Sequence, residues 1–429
     1  MKFAAVGDMI IQRRIQEDFE GYGEFAPFLE ESDASFFNLE TTLNYEGECP
    51  ASQFSGGTYI RTNPEVLDDI KKFGFNMTSA NNNHAMDFSY EGLYRTLQCL
   101  DASGLVHSGL GRNLAEASAP RYLDTKNGRV ALIAVNTTFD ACMIAGEQTD
   151  RVQGRAGING LNVSSYVELP KEDLDIIKRI AKETNINAAK EIVRKEGYYP
   201  ELKDNEAEFG TMKFVEGEKA RHVMTIDEAD IKRVEKAIYE AKLQADYIMI
   251  SIHSHELSGT EKETPSDFLK DFAHRMIDCG ANAIVGHGPH LLRPIEIYKD
   301  CPIFYSLGDF ILQLYNIEFA PNEFYAKYNL SPSATVHELL KTRSKDFARG
   351  LMTDERMFKT VMPIWETEGG KLKSLKLVPV MAAMEGNKSQ IGLPRVCAPE
   401  VVYDYIAKMS EPYGTKITVD KDGLLVCEW

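Results

Sequence analysis

The chain has 429 residues, of which 43% are hydrophobic and 26% charged, and its formal net charge is −17. That balance is the one expected of a soluble globular protein. The acidity argues against non-specific binding to nucleic acid or anionic lipid, and no run approaches the roughly 20 apolar residues of a membrane helix.

The opening stretch MKFAAVGDMIIQRR is charged too soon for a signal peptide and reads as a first buried strand. The seven cysteines are scattered, odd in number and without a CxxC pair, which argues against a disulfide framework or a zinc–cysteine site. A cytoplasmic location is therefore expected, unless a leader has been trimmed.

In chain order, short apolar runs follow at 2–6 (KFAAV), 34–38 (ASFFN), 75–80 (FNMTSA) and 130–136 (VALIAVN). Between them lie two helical patterns. NPEVLDDIKKFG (63–74) has a capping Asn, Pro in its first turn and Gly at its end. YEGLYRTLQCLDASG (90–104) puts Leu93, Leu97 and Leu100 on one face. This alternation predicts an α/β layered fold.

Residues 165–225 are charged and show no strand signal, so a helical insertion is expected, either a lid or a packing element. Strand patterns resume at 246–256, 280–290 and 301–311. A second polar helical stretch covers 312–357, and 358–429 reads as a hairpin and tail that complete the fold. Residues 1–429 are thus expected to form one domain with insertions.

The apolar runs share one feature: they end in acid/base or metal-competent residues. These are Asp8, Asn38 with Glu40, Asn83 with His84, His253 with His255 and Glu256, His287 with His290, and Asp309. In layered α/β folds the carboxyl ends of strands form the rim where sites are built. Carboxylate, imidazole and amide oxygen together suit Mn, Zn or Fe.

On this reading Glu40 bridges two ions, Asp8 and His290 complete one, and Asn83, His253 and His287 the other. His84 is left free as a general acid, with Asp87 three residues on to orient it. Asn81 and Asn82 read as turn and cap residues. Arg13, Arg61 and Arg293 lie near these motifs and could bind an anionic group of a substrate, although surface ion pairs are the alternative.

VGD, FFNLETTL, ANNNHAMDFSYEGL and GHGPHLLRPIEIYKDCPIFYSLGDF resemble the CapA family of poly-γ-glutamate capsule synthesis proteins. That family is similar in fold to the calcineurin-like metallophosphoesterases. The resemblance covers most of 1–155 and 245–312. It implies a four-layer α/β (α+β) sandwich of two mixed sheets flanked by helices, carrying a helical insertion.

Against the phosphoesterase pattern, Asp8 stands in the first motif, but Asp-x-His there reads Asp8-Met9-Ile10. Glu40 takes the place of the bridging aspartate, Asn83 and His84 match the Asn-His pair, and His253 matches the next histidine. HSHE replaces the family's HWGxE around His255 and Glu256. His287 and His290 match the closing pair with one residue more between them, and Asp309 stands where many relatives have Asn. These departures leave open one divalent ion, two, or none.

The function expected is metal-dependent hydrolysis of a glutamyl-type amide or a phosphoester, in poly-γ-glutamate, capsule-related or small-molecule metabolism. The substrate would be an anionic small molecule or a peptide-like one. Two rivals remain. One is a metal-independent epimerase or isomerase in the same pocket, favoured by the missing histidine at position 10. The other is a non-catalytic subunit that binds or assembles capsule polymer.

Overall fold

The computed structural model describes residues 1–55 and 57–429. They form two compact units, Met1–Leu161 with Lys232–Trp429, and Asn162–Ile231. The larger unit is built on two sheets. The first has ten strands and runs from Lys416–Val419 through Leu425–Glu428, Lys371–Ala382, Lys359–Glu368, Lys2–Ile10, Ala34–Leu39 and Met77–Ser79 to Val106–Ser108. Asp309–Leu312 pairs with Lys2–Ile10, and Pro394–Val396 pairs with Lys371–Ala382.

The second sheet has six strands, in the order Ile295–Tyr298, Cys301–Phe304, Ala283–His287, Tyr247–His253, Gly128–Asn136 and Arg121–Thr125. Its four inner strands are parallel and its two edge strands antiparallel. Parallel strands buried on both faces need near-continuous apolar sequence, which is what FAAV, ALIAV, IMISI and AIV supply.

Side chains alternate across each strand, and the two faces of the first sheet go to different partners. Phe3, Ala5, Phe36 and Met77 share a core with Val130, Leu132, Tyr247, Met249 and Val285 of the second sheet. Within it the Phe3 ring stacks on Tyr247 at 4.1 Å, and Trp365 donates its indole N–H to the Tyr247 hydroxyl at 3.0 Å. Ala4, Val6, Phe37 and Leu39 face the other way, onto Phe25, Val66, Ile70, Leu93, Leu97 and Leu100. Those residues belong to the helices Gly21–Leu29, Val66–Phe73 and Ser89–Ser103.

The helices Glu228–Lys242 and Asp267–Cys279 precede Tyr247–His253 and Ala283–His287, and they bury Val234, Ile238, Phe268, Phe272 and Met276. The result is the expected four-layer arrangement: two mixed sheets face to face, with helices outside.

The smaller unit departs from the sequence reading. Residues 165–225, expected as helices alone, hold Lys171–Thr184 and Ala188–Lys195 together with a four-stranded sheet. Its strands are Val163–Leu169, Glu206–Phe209, Met212–Glu216 and Arg221–Ile226. They are short and half-exposed, and their alternation is confined to fragments such as EAEF and MKF, too brief to read as strands; the core beneath is Leu174, Ala207 and Phe214 with a few half-buried neighbours.

The stretch 312–357 holds two short helices, Asn322–Lys327 and Val336–Arg343. The second starts on a capping box between Thr335 and Glu338. No helix among the described residues is long and apolar enough to cross a membrane.

Candidate metal centre

The rim where the parallel strands end gathers the motif residues. Asp8 lies near the end of Lys2–Ile10, at a break in pairing register on both sides of the strand. Such bulges re-aim a side chain beside a site. Glu40 follows Ala34–Leu39, and its N–H is held by the Met9 carbonyl at 3.2 Å. Asn83 and His84 sit in the turn after Met77–Ser79, while His253 and His287 end adjacent strands in register with each other. Asp309 differs from expectation in one respect: it begins a strand, directly opposite Asp8, after a turn through Gly308 at φ +66°.

Two glycines let this rim close. A Cβ on Gly7 would lie 1.9 Å from the Gly308 carbonyl oxygen. Gly288, at φ +116°, brings its N–H to Asp8 Oδ2 at 2.8 Å, and a Cβ there would press on His253 and His255. His290 holds a left-handed φ of +61° that costs a non-glycine residue energy. It thereby faces Asp309 through Nδ1 at 2.9 Å and Glu40 through Nε2 at 3.9 Å.

Three overlapping sets of ligand atoms lie within 4.8 Å of one another: Asp8, His253 and His287; Glu40, His253 and His255; and Asp8, Glu40, His290 and Asp309. Ring nitrogens crowd together, with His253 Nδ1 3.0 Å from His287 Nδ1 and His253 Nε2 3.0 Å from His255 Nε2. Both oxygens of Glu40, Oδ1 of Asn83 and Oδ2 of Asp309 are buried and without a hydrogen-bond partner among the described residues. A buried acceptor left unpaired costs about 1–3 kcal/mol, more if charged. The carboxylates of Glu40 and Asp309 lie among the imidazoles of His253, His255 and His290, and the donor set contains no thiolate. The residues fit a divalent cation of the Mn, Zn or Fe kind.

The electrostatics agree. Burial pushes the Glu40 carboxyl well above its ordinary range, and the nearby Asp8 charge adds to that. Burial also lifts Asp309 to about 6, against the opposing pull of His290. Asp8 goes the other way: burial would raise it, but the His287 hydrogen bond and the charges of His287, His253 and His290 hold it below the usual range. Burial and a neighbouring imidazole keep His253 and His255 neutral, the latter down to about 3. Burial opposes the charge on His290, yet Asp309 and Glu40 raise it to about 10.

His84 stands at the edge of this group, with Nε2 4.0 Å from Glu40 Oε1. Its Nδ1 meets Asp87 Oδ2 at 2.7 Å, and the same oxygen accepts the Ile60 N–H at 2.7 Å. Asn38 donates to Asp8 Oδ1 at 2.7 Å and so orients that carboxylate.

Several other expectations are corrected. Asn81 and Asn82 are more than turn residues: Asn81 donates to the Ala134 and Asn159 carbonyls and Asn82 to the Leu39 carbonyl, tying the turn to both sheets. Glu256, a candidate site residue of open role, accepts hydroxyl hydrogen bonds from Thr137, Thr138 and Ser254 at one of its oxygens. Arg293 is neither a substrate arm nor a surface pair. It is fully buried and donates to the carbonyls of Lys262, Ser254 and His255, fixing the turn that follows His253 and carries His255.

Arg13 is exposed, and it and Arg61 line a different hollow with Tyr45, Tyr59 and Glu318. There Arg61 pairs with Glu318 at 3.0 Å. Position 10, where Asp-x-His would put a ligand, is a buried Ile packed on Leu291 and Leu312. A further imidazole near the cluster comes instead from His255. Sequence reading missed Ser251, whose hydroxyl meets His287 Nε2 at 2.8 Å; its place two residues before His253, on the same face of the strand, was the available signal.

Fold and rim together define a two-sheet α/β sandwich with a carboxylate–imidazole centre at its strand ends. The profile of the bacterial capsule synthesis protein PGA_cap family matches residues 2–314, and the chain belongs to that family.

Among its relatives, the uncharacterized protein y4sH of Sinorhizobium fredii (strain NBRC 101917 / NGR234) is 30% identical, over 98% of this chain and 92% of that protein. The capsule biosynthesis protein CapA of Bacillus anthracis is 23% identical, over 71% of this chain and 58% of its own length. A solved structure of a hypothetical protein from Thermus thermophilus aligns over 87% of this chain and 97% of its own, at 11% identity and a TM-score of 0.40.

Proposed function

We propose that this chain is a metal-dependent hydrolase acting on an anionic substrate, and that the bond broken is a phosphoester or a glutamyl-type amide. The observation that carries the reading is the set of buried, unpartnered oxygens on Glu40 and Asp309, whose carboxylates lie within ligand distance of His253, His255 and His290, beside the Asp8, His253 and His287 group. Asp8, Glu40, His253, His287, His290, Asp309 and Asn83 are the residues that would hold one or two divalent ions. Such an ion supplies Lewis acidity and lowers the pKa of water at the site.

The rest is done by the chain itself. Asp87, pinned by the Ile60 N–H, accepts from His84 Nδ1 and fixes the ring so that Nε2 points toward Glu40. That nitrogen can therefore hand a proton to a leaving group. Asn38 and the Gly288 N–H keep both Asp8 oxygens in place. Arg293 holds the carbonyls of Ser254 and His255, so His253 at the strand end and His255 in the turn keep their spacing.

The name of the Bacillus relative supports a capsule-related substrate, and the seven free cysteines suit a reducing cytoplasm. The test is elemental mass spectrometry on protein purified without chelator, with His287→Ala and Glu40→Ala beside it. One or two equivalents of Mn, Zn or Fe, lost in both variants, support the reading and justify a screen of phosphoesters and γ-glutamyl amides. Protein that takes up no metal even from excess ions sinks it.

A further inference from the structure

A cleft of about 750 Å³ opens beside His255 and His290. Its other walls include Lys262, Arg343, Arg349, Asp354 and Glu355. The acidic members are already paired: Asp354 with Arg356 at 2.7 Å and Glu355 with Lys359 at 2.8 Å. The basic members are not. Arg343, Arg349 and Lys262 form no ion pair among the described residues, and Arg343 only lies over the Phe324 ring, 5.7 Å from its centroid. On a chain of net charge −17, three unpaired cations lining one cleft focus positive potential there.

A second hollow of about 380 Å³ shares the wall formed by Arg343, Arg349, Gly350, Leu351 and Thr353. Its remaining lining is largely apolar, with Ile317, Tyr328, Leu340, Phe347 and Met352. The shared wall is reached through three successive left-handed residues, Lys345, Asp346 and Phe347, at φ +53°, +59° and +58°. L-residues adopt this conformation singly and at a cost; here the run places Phe347 against the apolar hollow and Arg349 on both.

We propose that these two hollows form the substrate-recognition part of the candidate metal centre, and that the substrate is an amphiphilic oxyanion. Its phosphate or carboxylate lies between Arg343 and Arg349, and an attached apolar group, of aromatic-ring size, enters the Ile317–Phe347 hollow. Planar guanidinium groups suit both oxyanions through paired hydrogen bonds, and a small apolar pocket beside a few fixed charges is the usual form of a ligand site. This rests on the hydrolase reading for the direction of the reacting bond, toward His255 and His290, but not for binding.

The test is calorimetric binding of benzylphosphonate, methylphosphonate and phenylacetate to the full chain, with and without added Mn. Benzylphosphonate should bind at least tenfold tighter than methylphosphonate. Arg343→Gln with Arg349→Gln should weaken both phosphonates tenfold or more, whereas Phe347→Ala, or Met352→Ser should that variant fold poorly, should remove only the benzyl advantage. Phenylacetate binding comparable to that of benzylphosphonate assigns the arginines to carboxylates as well. Equal affinity for the two phosphonates, or no change in the arginine double variant, overturns the proposal. Binding with this pattern in a protein that takes up no metal leaves the recognition site standing and removes the hydrolase reading alone.

Discussion

The rim cluster and the cleft beside it are built by opposite means. Asp8, Glu40, His253, His287 and Asp309 are wholly buried and hang from strand ends whose ladder register fixes their spacing. Arg343 and Arg349 are exposed and stand on a short helix and the irregular turn after it. The same contrast runs through the arginines. Arg293 has lost its water and gained three backbone carbonyls; Arg343 and Arg349 keep their water and pair with no carboxylate among the described residues. In such a design the chemistry is set by the sheets, while recognition is carried by a segment that can change without disturbing them.

Removing one cluster carboxylate should give the largest effect and separate stability from function. Glu40→Gln should abolish stoichiometric metal binding and, with it, hydrolysis. The same substitution should stabilise metal-free protein. Glu40's carboxyl is held well above its ordinary range, so above the ordinary carboxylate range folding must bind a proton that the unfolded chain has released. Replacing it with a neutral amide removes that requirement and should raise stability at pH 8. Thermal unfolding in chelator and in Mn checks this, and a variant less stable than wild type in chelator would contradict it.

Next in size is the edge of the cluster. His84→Ala should lower turnover by about 10²–10⁴-fold, the usual range for a general acid, while metal content stays unchanged. Asp87→Asn should cost less and shift the pH profile, because it leaves the ring in place but unfixed. Loss of metal in His84→Ala would make that residue a ligand and remove the acid.

Arg293→Lys should be the third largest. A lysine cannot reach three carbonyls at once, and two buried acceptors would go unpaired. Destabilisation of about 3 kcal/mol is expected, with metal affinity falling by about 10–100-fold as His253 and His255 lose their support. Denaturant unfolding and a metal titration read the two effects separately.

The contrast also explains what the sequence makes legible. Every cluster residue closes or opens an apolar strand run, so Asp8, Glu40, Asn83, His84, His253, His287 and His290 stand out without coordinates. His255 and Asp309 are visible but ambiguous, because their roles depend on a turn and on a parallel pairing between residues about 300 positions apart. Arg293 misleads: a motif-flanking arginine suggests an anion, and only burial shows otherwise. Arg343 and Arg349 carry no signal, since the stretch 312–357 has no lasting period, and Lys262 is one lysine in a charged loop. The smaller unit's strands are hidden for a related reason, their alternation being confined to fragments too brief to read as strands.

Acidity tests the cluster side more gently. With protein groups alone, Asp309 is raised to about 6, His290 to about 10, and Glu40 lies well above its ordinary range. Each of these native groups holds a proton that the unfolded chain releases at lower pH, whereas neutral His253 and His255 lack protons that the unfolded chain takes up below about pH 6.5; the two effects oppose each other up to that pH, and metal-free stability should fall as pH rises from about 6.5 toward 10. Metal must displace those protons, so its affinity should rise about tenfold per pH unit for each proton released. Asp309's part should end above about pH 6, leaving that of His290 and Glu40. Mn titrations between pH 5.5 and 8, in buffers of different ionisation enthalpy, give both slope and proton count. A flat profile would mean the ligands bind metal from states other than these.

The smallest expected effect is the most discriminating for the comparison. Arg343→Gln with Arg349→Gln should change folding stability by no more than about 0.5 kcal/mol, because exposed residues without ion pairs contribute little. Arg343 ends its helix, where a cation interacts favourably with the carbonyl end, so a loss of a few tenths of a kcal/mol is its share. A loss of 2 kcal/mol or more would show that these arginines hold the irregular wall together, and the division between a rigid chemical rim and an independent recognition wall would fail. An unchanged unfolding midpoint, together with weakened oxyanion binding, would leave recognition as the physical reason for two unpaired guanidinium groups beside a cluster of carboxylates and imidazoles.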